Sequence, residues 1–251
     1  MRIWQDEVVC FARSIIQQML ELAITTATAA AAASFAGYHA MAPSSQIYGR
    51  TLVRGAHSRQ LALTYDDGPN DAHTLRLLEV LAKHDVRATF FLLGRYVQQH
   101  PQIVRDLTQA GHVLGNHTFT HPNLIFCSEL QTRIQLAACS RAIEDASGQT
   151  PKLFRPPFGG RRPSTLRIAR ELALAPVMWS VTGWDWEAKP ASYVEGKVTG
   201  QVKGGDIILL HDGGHRGLGA DRSQTVIATE NLIQRYKATG KEFVTIPAMQ
   251  P

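Results

Sequence analysis

Short apolar runs alternate with amphipathic helical stretches from residue 61 to the end of the chain. The runs are rich in β-branched and aromatic residues and read, in chain order, LALTYDD, ATFFLLG, HVLGNHT, LFRPPFG, APVMWSV, DIILLHD and EFVTIPA. The intervening stretches carry apolar residues at helical spacing near 75–83, 101–110, 129–146, 164–172, 192–202 and 225–238. Alternation of this kind predicts an α/β domain with parallel strands and helices outside them.

The alternation of strands and helices leaves two architectures open. An open doubly wound sheet and a closed barrel both fit seven strand-helix alternations. No GxGxxG follows the first strand, which removes one reason to favour the open sheet.

The N-terminal segment follows a different pattern. Its apolar residues lie at helical spacing and lead into an Ala- and Thr-rich tract, and residues 22–49 carry no formal charge. A membrane span needs about 20 residues, so the tract is long enough, although only modestly apolar. We favour an uncleaved signal anchor over residues 1–42 and a linker over 43–60. A cleaved signal, for which Ala40-Met41-Ala42 resembles a cleavage site, and a soluble helical extension are the alternatives.

Composition limits the function classes. The 251 residues, 44% of them hydrophobic, can bury one good-sized core. The formal charge of +5 comes from scattered Lys and Arg, without the basic runs of a nucleic-acid groove, so we expect no nucleic-acid partner. Cys10, Cys127 and Cys139 lack metal-like spacing and are predicted to be buried or free thiols, with a Cys127–Cys139 disulfide as the alternative.

Polar side chains gather where the predicted strands end. They are Asp66, Asp67, His117, His121, Arg155, Asp185, His211 and Asp212. The C-terminal ends of strands in a parallel barrel share one face, where catalytic groups are usually carried. Adjacent strand residues point to opposite faces, so Asp66 and Asp67 pose a problem. We predict that the Gly68-Pro69 turn lets both reach one cavity.

A cation would hold two carboxylates together. His117 and His121, at i and i+4, share a face in a helix and can also converge in a loop. Two imidazoles and one carboxylate with an open position are typical of a catalytic divalent-metal site. The second carboxylate is then available as a base.

Five motifs now appear in order, TYDDGP, HTFTH, RPPFG, GWDW and LLHDG. Together they resemble the polysaccharide deacetylases with the NodB homology domain, carbohydrate esterase family 4, over roughly residues 60–248. The resemblance implies a distorted parallel (β/α)7 barrel over residues 61–251, here with an N-terminal helical extension or anchor.

The resemblance also implies a role for each site residue. Asp67, His117 and His121 would bind the metal. Asp66 would be the base, Arg155 would hold Asp66, and His211 would protonate the leaving amine with Asp185 tuning it. The backbone N–H of Phe158 would stabilise the oxyanion, and Trp186 and Leu209 would line the acetyl pocket.

The implied function is metal-dependent hydrolysis of N-acetyl groups on an N-acetylglucosamine-containing polymer or oligomer, by attack of a metal-bound water. Peptidoglycan is the first expected substrate and chitooligosaccharide the second, with zinc as the expected metal and cobalt or nickel as alternatives. We expect an extracytoplasmic enzyme, in the periplasm or at the cell surface, held to the membrane by its N-terminus. A deacylase of a lipid-linked sugar or small amide, and an inactive carbohydrate-binding relative, are the alternatives. The oligomeric state is left open.

A few residues depart from the family pattern or fall outside it. Thr182 stands where the fourth motif usually has an acidic residue. His215, in HDGGHRG, is predicted to be a solvated loop residue rather than a substrate contact. Arg161 and Arg162 are predicted to be helix N-terminal surface, and Trp184 fits a sugar platform and a packed loop aromatic equally well.

Overall fold

The computed structural model describes residues 2–187 and 189–249, and side chains from residue 15 onward. The chain divides into two compact units, Met1–Ala40 and Met41–Pro251. Within the described residues, one helical segment, Ile15–Met41, is long and apolar enough to cross a membrane, with a mean hydropathy of 1.4. Its length and composition fit a signal sequence equally well. The assignment of residues 1–42 as an anchor therefore stays a prediction.

One long helix makes up the first unit, and strands and helices alternate through the second. The helices are α1 (Arg2–Met41), α2 (His73–Lys83), α3 (Gly94–Gln99), α4 (Pro101–Gln109), α5 (Glu129–Ser147), α6 (Pro163–Glu171), α7 (Ala191–Thr199) and α8 (Ser223–Ala238). The strands are β1 (Gln60–Gly68), β2 (Thr89–Leu92), β3 (Val113–Asn116), β4 (Leu153–Phe154), β5 (Ala175–Pro176), β6 (Val181–Thr182), β7 (Asp206–His211) and β8 (Glu242–Phe243).

All strand pairs are parallel, in the order β5-β4-β3-β2-β1-β7-β6, and β8 pairs with the start of β1. The predicted strand APVMWSV is split into β5 and β6, which lie at opposite ends of this order. Val177 N–H donates to Phe154 O at 2.8 Å, and Ser180 N–H donates to Ile207 O at 3.1 Å. One extended segment thus pairs with β4 and then with β7 and closes the ring.

The closed ring confirms the predicted distorted parallel (β/α)7 barrel. The distortion lies at the closure, because each half of the split strand pairs over only two residues. Two further details differ from the sequence expectation. The short helix α3 follows β2 directly, and residues 43–60, predicted as a linker, form bridges from Leu52 to Val177 and from Arg54 to Asp206.

The alternation of β1 sorts its side chains between two layers. Leu61, Leu63 and Tyr65 pack in the larger core between the sheet and its helices, whereas Ala62 belongs to the smaller core inside the barrel. Since side chains alternate along a strand, Asp66 shares the inner face with Ala62. This parity places the carboxylate of Asp66 at the open end of the barrel interior.

Cys127 and Cys139 are free thiols, as predicted. Cys10 lies outside the residues whose side chains the structure describes.

Candidate active site

A β-bulge at the end of β1 brings two adjacent carboxylates to one cavity. The pairing of β1 with β2 shifts register between Asp66 and Gly68, and Asp67 has a φ of 71°. A bulge re-aims the side chain of its extra residue, and Asp tolerates the left-handed region better than most residues. The predicted Gly68-Pro69 turn is not what brings the two carboxylates to one cavity, because the bulge one residue earlier does so.

His117 and His121 converge from a loop. Both follow β3 in non-helical backbone, and their ring centroids are 5.0 Å apart. The Nδ1 atom of His117 lies 2.7 Å from the carbonyl oxygen of Arg155, which turns its Nε2 towards the carboxylates. His121 Nε2 lies 3.2 Å from Asp67 Oδ1, and His117 Nε2 lies 3.5 Å from the same oxygen.

These three side chains fit a divalent cation. One ligand atom from each of Asp67, His117 and His121 lies within 4.8 Å of the others, and all three residues are buried. Among the described residues, Asp67 Oδ1 has no hydrogen-bond donor, a costly arrangement for a buried carboxylate oxygen. Two imidazole nitrogens and one carboxylate oxygen are the donor set of many catalytic zinc sites.

The protonation states suit metal binding. Burial alone would raise the pKa of Asp67, but the neighbouring histidines, His215 first among them, hold that pKa below its ordinary range. Burial lowers the pKa of His121 to about 3, and His117 adds to the effect. An ionised carboxylate and a neutral imidazole are the forms that bind a metal.

Arg155 holds the second carboxylate. Its guanidinium is fully buried, and Nη1 donates to Asp66 Oδ1 at 2.7 Å and to Thr64 Oγ1 at 2.8 Å. The same group donates to Met178 O at 3.0 Å and lies 4.2 Å from the centroid of the Phe91 ring. Asp66 is therefore fixed beside the metal ligands without being needed as one of them.

Comparison with known proteins identifies the family of the chain. Residues 54–177 match the family model for polysaccharide deacetylase. The chain is 38% identical over 192 residues to a peptidoglycan-N-acetylglucosamine deacetylase of Bacillus cereus, covering 76% of this chain and 68% of that protein. The chain belongs to the polysaccharide deacetylase family.

In two further matches this chain covers a larger share of the other protein. A chitooligosaccharide deacetylase of Bradyrhizobium sp. is 36% identical over 199 residues, covering 76% of this chain and 91% of that protein. The crystal structure of a peptidoglycan N-acetylglucosamine deacetylase in complex with 4-naphthalen-1-yl-N-oxidanyl-benzamide superposes with a TM-score of 0.75 at 35% identity. That match covers 80% of this chain and 92% of the other.

The deacetylase cavity is completed by His211, at the end of β7. Its Nδ1 lies 2.8 Å from Asp185 Oδ1, and its backbone N–H donates to Asp185 Oδ2 at 2.7 Å. Thr225 Oγ1 also donates to Asp185 Oδ2, at 2.9 Å. Burial alone would lower the pKa of His211, but Asp185 outweighs it and the pKa rises to about 9. His211 is therefore protonated at neutral pH.

Phe158, Trp186 and Leu209 line the same cavity, which has a volume of about 560 Å³. Phe158 has a φ of 58° in the turn Pro157–Gly159, and its ring meets that of His121 edge-on at 4.5 Å. The Trp186 ring lies 5.4 Å from that of His211. Eight of the ten residues that the sequence assigned to the site line this cavity. Arg155 and Asp185 do not line it but bond to Asp66 and His211, which do.

Sequence reasoning missed how two residues of the segment after His211 are placed. His215 is not a freely solvated loop residue: its ring stacks on His121 at 4.4 Å, and its Nδ1 lies 3.6 Å from Asp67 Oδ2. Asp212 is fully buried and accepts from Thr74 Oγ1 at 2.5 Å. A Cβ on Gly68 would lie 2.1 Å from Asp212 Oδ2, so only glycine fits beside this carboxyl. Gly213 and Gly214, between Asp212 and His215, were the sequence signal that the backbone here packs closely against the site.

The two arginines that follow the third motif, RPPFG, are structural. Arg161 is fully buried, not on the surface, and donates to the carbonyls of Ala42, Ser45 and Gly159. Arg162 donates to Cys127 O. Neither side chain lines the site cavity.

Asp185, in the GWDW segment, reaches His211 even though Thr182 departs from the family pattern. Among the described residues, Thr182 Oγ1 has no hydrogen-bond partner, yet Asp185 still reaches His211. Trp184 is 41% exposed and packs against Trp186 at 5.2 Å between ring centroids. Trp184 is thus a packed loop aromatic that is also partly exposed, and its use as a sugar platform stays a prediction.

The acid partner of His211 gives a pH test. If His211 acts in its protonated form, as the family resemblance implies, activity falls as pH rises through its pKa, and the alkaline limb of the pH profile reports His211. We expect Asp185→Asn to move that limb to lower pH by about 1 to 3 units. Burial lowers the pKa of His211, and the variant lacks the negative charge that raises it. Measuring kcat/KM against pH checks this, with Asp145→Asn, on the exposed face of α5, as control. An unmoved limb with uniformly lower kcat would leave Asp185 a purely structural role.

Proposed function

We propose that this chain is a metal-dependent N-deacetylase of N-acetylglucosamine-containing polysaccharide, with peptidoglycan as the first substrate and chitooligosaccharide as the second. One observation carries the proposal. A buried Asp67-His117-His121 set lies between an arginine-held carboxylate, Asp66, and an aspartate-held imidazole, His211. Amide hydrolysis needs a base for the water, charge stabilisation at the carbonyl oxygen and an acid for the nitrogen.

Asp67, His117 and His121 would hold the metal, which we propose is zinc, with cobalt or nickel as alternatives. When bound, a divalent cation polarises the carbonyl and lowers the pKa of water from about 15.7 towards 7. Asp66 accepts the proton of the attacking water through the oxygen that Arg155 does not occupy. Arg155 holds that carboxylate in place through the hydrogen bond from its Nη1 to Asp66 Oδ1.

The other side of the cavity handles the substrate. The backbone N–H of Phe158 donates to the developing oxyanion, and such a donor is worth about 2.7 to 4 kcal/mol. His211 transfers the proton on its Nε2 to the leaving amine, while Asp185 accepts the N–H of Nδ1 and so orients the ring and stabilises its protonated form. Trp186 and Leu209 form the apolar wall against which the acetyl methyl packs.

The location of the enzyme is a further part of the proposal. An N-terminal helix long and apolar enough for a membrane span, joined to a domain that acts on wall polymer, supports an extracytoplasmic, membrane-anchored enzyme. The same helix would suit a lipid-linked acylated sugar, which is the second candidate substrate. An inactive carbohydrate-binding relative is disfavoured, because base, acid and metal ligands are all present in one cavity.

Acetate release tests the activity. We expect the purified full-length chain to release acetate from peptidoglycan fragments or N-acetylglucosamine oligomers, to lose this activity with chelator and to regain it with zinc or cobalt. The better substrate would identify the polymer. One equivalent of bound metal without release from either would favour a lipid-linked or small amide substrate. Failure to bind any metal would contradict the assignment of Asp67, His117 and His121.

A further inference from the structure

Arg216 lines the deacetylase cavity and carries an uncommitted charge. Its side chain is exposed and borders the cavity that also contains Asp66, Asp67 and His211. Among the residues whose side chains the structure describes, no carboxylate lies within ion-pair distance of its guanidinium. A cation at the rim of a substrate cavity, without a protein partner, is available to a ligand.

The backbone that carries Arg216 is held in place. Three consecutive carbonyls precede it, and each accepts a hydrogen bond from a side chain of another part of the domain. The pairs are Gly213 O with Arg222 Nε at 2.7 Å, Gly214 O with Tyr96 Oη at 3.1 Å, and His215 O with the Arg95 guanidinium. The base of the Arg216 side chain is therefore fixed at the cavity mouth, although its tip is free to reach a ligand.

The carboxylates inside the cavity do not compete for this charge. Asp66 is paired with Arg155 at 2.7 Å, Asp67 faces the histidines, and Asp185, behind the cavity wall, is paired with His211 at 2.8 Å. A divalent cation on Asp67 would make the cavity more positive still. A cavity with surplus positive charge favours ligands of the opposite sign in both encounter and orientation.

We propose that Arg216 binds a carboxylate that the glycan carries next to the acetamido sugar in the cavity, and so sets a preference for acidic over neutral glycans. This rests on the proposed deacetylase function and narrows its substrate class. A neutral N-acetylglucosamine oligomer offers no group for this guanidinium. On alternate sugars a peptidoglycan strand offers a lactyl group, which is a free carboxylate where the peptide has been removed. Where the peptide is present it is joined to that lactyl group by an amide, and the carboxylates are then those of the peptide.

The size of the effect follows from exposure. Exposed ion pairs contribute about 0.2 to 1 kcal/mol, which corresponds to at most about fivefold in affinity. A charge reversal adds repulsion to the loss of attraction, so its effect is larger. Because exposed pairs are screened by salt, the preference should also shrink as ionic strength rises.

The test compares one glycan in two charge states. The ligands are a peptide-free peptidoglycan tetrasaccharide, its methyl ester, the same fragment with its peptides, and a neutral N-acetylglucosamine tetramer. Affinities are measured by calorimetry on zinc-loaded, full-length Asp66→Asn protein, so that binding is read without turnover. Arg216→Lys, Arg216→Gln and Arg216→Glu are compared with Arg141→Gln, which changes an exposed arginine of α5 that does not line the cavity.

We expect the acid-to-ester affinity ratio to fall about threefold in Arg216→Gln and about tenfold in Arg216→Glu, with Arg216→Lys and Arg141→Gln close to the parent. If the Arg216 variants lose affinity for the peptide-bearing fragment alone, the recognised carboxylate lies on the peptide. An equal ratio in all variants, or no binding of any acidic fragment, would overturn the proposal. Acetate release by the chain with Asp66 intact tests the deacetylase function separately, so the two failures are distinguishable.

Discussion

Asp66→Asn is expected to lower turnover by about 10² to 10⁴-fold while the protein still binds one divalent metal, because general-base catalysis contributes about that much. The amide keeps the shape of the carboxylate but cannot accept the proton of the attacking water. Metal binding should persist, since Asp67, His117 and His121 supply the ligand set without Asp66. The measurements are kcat on the better substrate and metal content after dialysis.

The control for this variant is Asp145→Asn, an exposed aspartate of α5, which should change neither quantity. Loss of the metal together with the activity would show that Asp66 is a ligand and would remove its assignment as base. Full activity with the metal retained would move the base to another group of the cavity, for which His215, with its Nδ1 3.6 Å from Asp67 Oδ2, is the candidate.

Arg155→Met should unfold more easily by about 3 to 5 kcal/mol, because removing one partner of a buried ion pair leaves the other charge uncompensated. Asp66 is only 3% exposed and its Oδ1 receives the Arg155 hydrogen bond. Methionine replaces much of the aliphatic stem beside Phe91 but supplies no donor. Denaturant unfolding of the metal-free protein measures the change without a contribution from metal loss.

A double variant separates charge from packing. Adding Asp66→Asn to Arg155→Met neutralises the orphaned carboxylate, so part of the lost stability should return. Arg141→Met, an exposed arginine, serves as the matched control and should leave stability unchanged. Equal stability of the single and double variants would mean that Arg155 acts through Thr64, Met178 and packing, and not through the charge of Asp66.

Much of the candidate site could be predicted because its residues sit at strand ends. In a parallel barrel these ends share one face, so Asp66, His117, Arg155 and His211 were expected to meet before any coordinates were known. Their residue types then restricted the chemistry to a metal, a base and an acid. The resemblance of five motifs to one family supplied the individual roles.

The rest depended on backbone geometry that residue patterns do not encode. The left-handed φ of Asp67 and the bulge beside it decide that two neighbouring carboxylates face one cavity. The division of APVMWSV between β4 and β7 decides where the barrel closes. Apolar content predicts a strand, but it does not say which neighbour each end of the strand will find.

The sequence by itself determined the alternation of strands and helices, the apolar N-terminal helix and the chemical composition of the site, since these follow from periodicity and residue type within short windows. Only the tertiary structure decided that His215 stacks on His121 and that Arg216 borders the cavity, with no ion-pair partner among the residues whose side chains the structure describes. Both lie in a loop, and the position of that loop is fixed by donors from Tyr96, Arg95 and Arg222. Contacts between groups so distant in sequence form only when folding brings their segments together. A short window of sequence contains no pattern that predicts them.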